Sequence, residues 1–267
     1  MKASVIVTGA GNGIGAAIAS HAASQGWHVG VLDRDDSAAT RVASELGERA
    51  LALIGDTTNP AEVDAALDTF AEFTGRPAPS GLVANAGVVR FGPLSTLSLQ
   101  DWRTVVDINL TGTFVTARAV ACRMMAAKQP GSLVMVTSMN GVAPGPNAGA
   151  YGATKSAIAL LTKQMALEWG PSQVRCNAVA PGLIDAGMSE PIYADADIRA
   201  RRAARVPLGR LGSSADIAHA VMFLLSEESA YINGIELLVD GGVTTSVIAT
   251  LPRPSSVDSV GVNDQDA

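Results

Sequence analysis

Apolar, often β-branched residues recur along this chain in short uninterrupted runs, and longer segments of helical character separate them. The runs at residues 4–8, 28–32, 50–54, 81–84, 132–137, 174–179 and 235–239 predict strands. Their apolar character is continuous, as expected for parallel strands covered on both faces. Helix starts fall between them. Asn59-Pro60-Ala61-Glu62 offers an Asn cap, a proline at the first helical position and a glutamate at the third. Ser98 with Asp101, and Ser213 with Asp216, repeat the capping logic. Strands alternating with helices imply an α/β fold, a doubly wound parallel sheet of the Rossmann type with about seven strands and helices on both faces. No internal repeat or linker divides the chain, so residues 1–250 are expected to form a single domain.

Two segments break the rhythm. Residues 183–210 lack a strand signal and are rich in Ala, Arg, Asp and Pro. A long insertion after the carboxyl end of a strand predicts a substrate lid. Residues 251–267 are rich in Pro, Ser and Asp and read as a surface or disordered tail.

Composition narrows the function. With 48% hydrophobic and 16% charged residues, the chain of 267 residues belongs among packed globules. It buries enough surface to need no disulfide or metal staple. A net charge of -6 and the lack of a basic stripe argue against nucleic acid; the densest basic run is residues 199–210. Only Cys122 and Cys176 occur, and His21, His28 and His219 lack metal-ligand spacing, so no metal is expected and a reducing, cytoplasmic setting is. The N-terminus does not read as a signal peptide, and no stretch of about 18 uninterrupted apolar residues spans a membrane.

The first strand run ends in Thr8-Gly9-Ala10-Gly11-Asn12-Gly13-Ile14-Gly15, followed by a helix over residues 14–25. Such glycines give a tight turn and bring backbone N–H groups to a pyrophosphate at a helix N-terminus. Asp33 ends the second strand run, 18 residues past Gly15, where a carboxylate accepts from adenosine ribose hydroxyls and repels a 2′-phosphate. NAD is therefore expected, although the adjacent Arg34 suits a phosphate.

Further on, Ser138 closes a strand run, Tyr151 follows 13 residues later, and Lys155 stands four beyond it. Residues i and i+4 share a helix face, so phenol and ammonium can meet. A free tyrosine titrates near ~10, and bringing it to neutrality takes ~4 kcal/mol of preferential phenolate stabilisation. One ammonium about 4 Å away in a partly screened site is of that size, which makes Tyr151 a feasible general acid/base.

Taken together, the chain resembles the short-chain dehydrogenase/reductase family over residues 3 to 243. The resemblance rests on Thr8-Gly9-x-x-x-Gly13-x-Gly15, Asn85-Ala86-Gly87, Asn109 in Asp107-Ile108-Asn109-Leu110, Ser138, Tyr151-x-x-x-Lys155, Pro181-Gly182 and Asp240-Gly241-Gly242. It implies an oxidoreductase moving a hydride between a secondary alcohol and its ketone. Tyr151 would exchange the proton, Ser138 would polarise the substrate oxygen, and Lys155 would hold the nicotinamide ribose and lower the Tyr151 pKa. Asn109 would position a relay water. The cofactor contacts implied are Gly9, Asn12, Gly13, Ile14, Gly15, Asp33, Arg34, Asp56, Thr57, Asn85, Ala86, Gly87, Tyr151, Lys155, Pro181, Gly182 and Ile184.

The chain departs from the family pattern at Thr137, commonly serine there, and at Ala186, where a threonine often holds the nicotinamide amide. Substrate contacts are expected from Val88, Val89, Phe91, Ser138, Met139, Asn140, Asn147 and Leu183, a mostly apolar set that predicts an uncharged alcohol. The resemblance also implies a homotetramer built on helices near residues 100–125 and 150–168, supported by the apolar runs 217–225 and 235–239. Two other readings stand beside this one: an NADPH-dependent reductase of a 3-oxoacyl thioester, and a catalytically silent regulator on the same fold.

Overall fold

A computed structural model describes residues 3–246; the expected tail lies outside the described residues. Seven strands form one parallel sheet: β1 (Ser4–Thr8), β2 (His28–Asp33), β3 (Ala50–Ile54), β4 (Gly81–Ala84), β5 (Gly131–Val136), β6 (Val174–Pro181) and β7 (Glu236–Val239). Their order is β3-β2-β1-β4-β5-β6-β7. Strand order thus reverses between β1 and β4, and a doubly wound sheet opens its ligand crevice at such a reversal.

Alternate strand residues serve opposite faces. Val5, Val7, Val29 and Val31 point into one core with α1 (Gly13–Ser24), α2 (Asp36–Leu46) and α10 (Ser214–Leu225). Ile6, Leu32, Leu82 and Leu133 point into the other with α3 (Pro60–Thr74), α5 (Gly112–Ala126) and α7 (Tyr151–Trp169). The remaining helices are α4 (Leu99–Val106), α6 (Met139–Val142), α8 (Glu190–Tyr193) and α9 (Ala196–Ala203).

The caps read from sequence are in place. Asn59 accepts from Ala61 N–H, Ser98 from Asp101 N–H, and Ser213 forms a capping box with Asp216. Between α4 and α5 the helix widens into one π-type turn, Asp107–Thr111, centred on Asn109. Together these form a 28-residue helix, Leu99–Ala126, the one described helix long and apolar enough to cross a membrane by length and composition. Its α5 portion packs against β4 and β5.

One apolar run expected to support assembly packs largely inward. In the run 217–225, Ile217, Ala218, Val221, Met222, Leu224 and Leu225 are core residues, with α10 packed on α1. That run is apolar for the subunit's own interior. Within it Phe223 is exposed, and further large apolar side chains are exposed elsewhere, among them Leu99 on α4 and Leu160 and Leu167 on α7.

Candidate active site

At the carboxyl ends of the strands lies a cleft of about 660 Å³. Its cofactor-like end is built by backbone. Gly9 and Gly13 sit at φ +62° and +56°, a region that glycine enters without strain, and carry the chain from β1 into α1. Asn12 caps α1 by accepting from Gly13 N–H at 2.7 Å. Asp33, ending β2, accepts from Gly11 N–H at 2.9 Å and Asp35 N–H at 3.1 Å, so its carboxylate is fixed at the cleft edge. Arg41 donates to the Gly11 carbonyl at 2.9 Å, a support the sequence did not disclose. Across the switch point, the Asn85 amide donates to Thr8 and Gly9 carbonyls, and Thr8 Oγ1 accepts from Asn85 and Ala86 N–H.

Of the expected cofactor contacts, Gly9, Asn12, Gly13, Ile14, Asp33, Arg34, Asp56, Thr57, Asn85, Ala86, Gly87, Tyr151, Lys155, Pro181, Gly182 and Ile184 all line this cleft. Gly15 does not. A Cβ there would meet Gly9 O at 2.2 Å and Asn85 Nδ2 at 2.7 Å, so this glycine lets α1 close on the β1 turn rather than touching a ligand. A Cβ on Gly13 would come within 3.0 Å of Gly187 Cα, where the segment after β6 meets the turn. The open backbone of this cradle, the α1 N-terminus and the anchored Asp33 carboxylate fit a dinucleotide's pyrophosphate and ribose.

The chemical end lies where β5 passes into α6 and α7 begins. Ser138 is buried, caps α6 by accepting from Asn140 N–H at 3.2 Å, and hydrogen-bonds the Tyr151 phenol. Lys155, one turn along α7, is buried and donates to Val136 O at 2.8 Å, with Nζ 5.4 Å from the Tyr151 ring centroid. Burial pushes the Lys155 ammonium down to about 8. Burial also holds the Tyr151 phenol above its ordinary value, against the opposing hydrogen bond from Ser138. The expected lowering of Tyr151 by Lys155 does not emerge, because the cost of taking a phenolate out of water dominates.

Asn109 stands next to this group. It is fully buried behind the cleft, with Oδ1 accepting from Val88 N–H at 2.8 Å and Nδ2 donating to Val88 O at 2.9 Å and Thr154 Oγ1 at 3.3 Å. Its side chain locks the loop after β4 onto α7.

On the substrate side, Val88, Val89, Phe91, Met139, Asn140 and Leu183 line the cleft as expected. Asn147 does not: it is exposed at φ +60°, with its carbonyl accepting from Gly92 N–H. It shapes a turn. The segment after β6 folds into a 3-10 turn, Gly187–Ser189, then α8 and α9. It adds Met188, Ser189, Ile192, Tyr193 and Arg202 to the cleft, none of them among the expected substrate contacts. Its composition promised a lid but did not say which faces turn inward.

The profile described as enoyl-(acyl carrier protein) reductase matches residues 9–244. The chain is 37% identical over 247 residues to 2-(S)-hydroxypropyl-CoM dehydrogenase 3 of Xanthobacter autotrophicus, covering 90% of this chain and 96% of that one. It is 38% identical to cis-4-hydroxycyclohexanecarboxylate dehydrogenase of Sinomonas cyclohexanicum, over 90% and 95% of the two chains. Among solved structures it is similar to one from Beutenbergia cavernae, named for an NAD(P)-dependent gluconate 5-dehydrogenase and holding NADP at low occupancy. That structure superposes with a TM-score of 0.84 at 34% identity, over 91% of this chain and 97% of that one. With the cradle, the Ser138–Tyr151–Lys155 arrangement and the strand order already in hand, these likenesses are decisive: the chain belongs to the short-chain dehydrogenase/reductase family.

Proposed function

We propose that the chain is an NAD-dependent oxidoreductase that moves a hydride between a secondary alcohol and its ketone, with Tyr151 as general acid/base. The observation that carries this reading is that Ser138, Tyr151 and Lys155 share one cleft with the Gly9–Gly13 cradle and Asp33. When bound, the nicotinamide dinucleotide supplies the hydride acceptor or donor. The chain's residues do the rest. Tyr151 takes the alcohol proton during oxidation and returns it to the carbonyl oxygen during reduction. Ser138 hydrogen-bonds the same oxygen and stabilises charge that develops there. Lys155, fixed on Val136 O, holds the ribose hydroxyls and brings a positive charge to the phenolate. Asn109 acts at one remove, by fixing Val88 and Thr154 around Lys155.

Asp33 supports NAD, because an anchored carboxylate accepts from ribose hydroxyls and repels a 2′-phosphate. The second reading, NADPH-dependent reduction of a 3-oxoacyl thioester, has in its favour the profile's description and the exposed Arg34 beside Asp33. The silent-regulator reading loses ground because each reacting side chain is present. Exposed Leu99, Leu160 and Leu167 on α4 and α7 support a homotetramer assembled through those helices, and light scattering is the check. Two free cysteines, Cys176 buried and Cys122 exposed, support a reducing, cytoplasmic setting.

Two measurements test the reading. Tyr151→Phe removes only the reacting hydroxyl, so turnover is expected to fall by about 10² or more while NAD still binds. Near-normal turnover would place the acid/base elsewhere. Wild-type kcat/KM is expected to favour NAD over NADP by about tenfold or more, and Asp33→Ala to shrink that ratio. A wild-type preference for NADP would overturn the cofactor assignment.

A further inference from the structure

Five arginines crowd residues 199–210: Arg199, Arg201, Arg202, Arg205 and Arg210. Arg199 pairs with Asp185, Arg210 makes a two-pronged contact with Asp216, and Arg201 and Arg205 are exposed. Arg202 differs from all four. It is half-buried, its guanidinium lies 5.7 Å from the ring centroid of Tyr193, and Tyr193 is itself 5% exposed. Both residues line the cleft that holds Ser138 and Tyr151. Among the described residues, no carboxylate lies within ion-pair distance of Arg202.

The rest of the cleft makes this cation conspicuous. Asp33, Arg34 and Asp56 belong to the adenosine end, and Lys155 is engaged by Val136 O. Val89, Phe91, Met139, Met188 and Ile192 make most of the other wall apolar. A guanidinium held against an aromatic face has already given up much of its rotamer freedom and part of its water. An oxyanion that accepts from its fork in parallel recovers that cost and gains two charge-assisted hydrogen bonds. We infer that the substrate is a secondary alcohol, or its ketone, bearing an anionic group such as a carboxylate or sulfonate, and that Arg202 is the residue that recognises it. This rests on the proposed reaction and departs from the expectation of an uncharged alcohol, which weighed only the apolar wall. Because Arg202 stands on α9 in the segment after β6, the anion also ties that segment down over the reacting carbon.

The rival role for Arg202 is to hold the dinucleotide's own phosphates, since Gly187, earlier in the same segment, touches Gly13. The experiment uses the full chain and secondary alcohols in matched pairs, each hydroxy acid or hydroxy sulfonate beside its neutral ester or amide, on linear and cyclohexyl skeletons. The wild type is expected to favour the anion by about tenfold or more in kcat/KM, Arg202→Gln to abolish the preference, and Arg202→Lys to restore part of it. A readout independent of turnover is the calorimetric affinity of the NAD-loaded enzyme for cyclohexanecarboxylate and hexanoate, expected to weaken about tenfold in Arg202→Gln while the Kd for NAD holds within about twofold. The inference is overturned if neutral alcohols are preferred, if carboxylates bind both proteins equally, or if Arg202→Gln weakens NAD instead. Turnover absent from every pair, with carboxylate binding still dependent on Arg202, would sink the proposed reaction and leave the anion site standing.

Discussion

The two ends of the cleft are made differently. At the dinucleotide end, the walls are strand termini tied by hydrogen bonds between side chains and backbone. Asp33 is held by Gly11 and Asp35, and Asn85 is stitched to Thr8 and Gly9, with the sheet core directly beneath. At the substrate end, the wall is the segment from Leu183 to Arg210, two short helices with mostly exposed side chains. It is fastened at intervals, by Gly187 N–H to Glu190, Arg199 to Asp185, and Leu208 N–H to Gly241 O. A ligand part shared by many reactions is met by tightly tied strand ends, and the part that varies is met by side chains on a largely exposed segment. Rigid scaffold and adjustable loop divide the work of binding.

The comparison breaks most readily at glycines. Gly15→Ala pushes a Cβ onto Gly9 O at 2.2 Å, backbone that cannot yield, so a loss of about 3 kcal/mol in urea unfolding is expected, with cofactor binding impaired. Gly209, at φ +70° with nothing within 4 Å of its Cβ position, should lose only about 1 kcal/mol as Gly209→Ala, with NAD affinity unchanged. Equal losses would mean that the two ends are equally rigid.

The second expectation concerns Lys155, buried in the fixed part. Its folded pKa of about 8 lies below the ordinary 10.5, so between those values the unfolded chain binds more protons than the native one. Stability therefore rises with pH across that window, by about 3 kcal/mol from this group. The raised Tyr151 phenol works the other way above pH 10, where the unfolded chain ionises first. Denaturation of wild type and Lys155→Met from pH 7 to 10 isolates the effect: the variant's advantage at pH 7 should shrink as pH rises. A constant gap would show that burial does not perturb Lys155.

The smallest effect tests the seam between the two ends. Ala186 is extended at φ -165°, lines the cleft and precedes the turn at Gly187. The family resemblance implies a threonine here that holds the nicotinamide amide, so Ala186→Thr is expected to add one hydrogen bond, for about 0.5–1.5 kcal/mol, or a two- to tenfold tighter Kd for NAD. Unchanged affinity would mean that another group, Ser189 for instance, already fills the role.

Much of this was legible beforehand where the signal is local. Asn59, Ser98 and Ser213 cap helices because a side-chain oxygen serves N–H groups two or three residues away. The strands appear within a residue or two of their expected bounds; β6 runs on to Pro181 because Pro181 pairs with Val239. The glycine turn, Asp33, Ser138, Tyr151 and Lys155 all reach one cleft. Less was legible where the partner is distant in sequence. Asn147, expected at the substrate, forms an exposed turn against Gly92, and the apolar run 217–225, expected to support assembly, packs largely on α1.

By itself, then, the sequence determined the elements, their parallel arrangement and the chemical identity of the reacting groups. Periodicity, capping and glycine dihedrals act over a few residues, and a residue type carries its chemistry with it. Tertiary structure alone decided that Gly15 packs while Gly13 lines the cleft, that Asn109 is sealed behind it, and that burial moves Lys155 down and Tyr151 up. It alone selected Arg202 from five neighbouring arginines. Desolvation and orientation depend on what the rest of the chain packs around a group, and no local pattern encodes that.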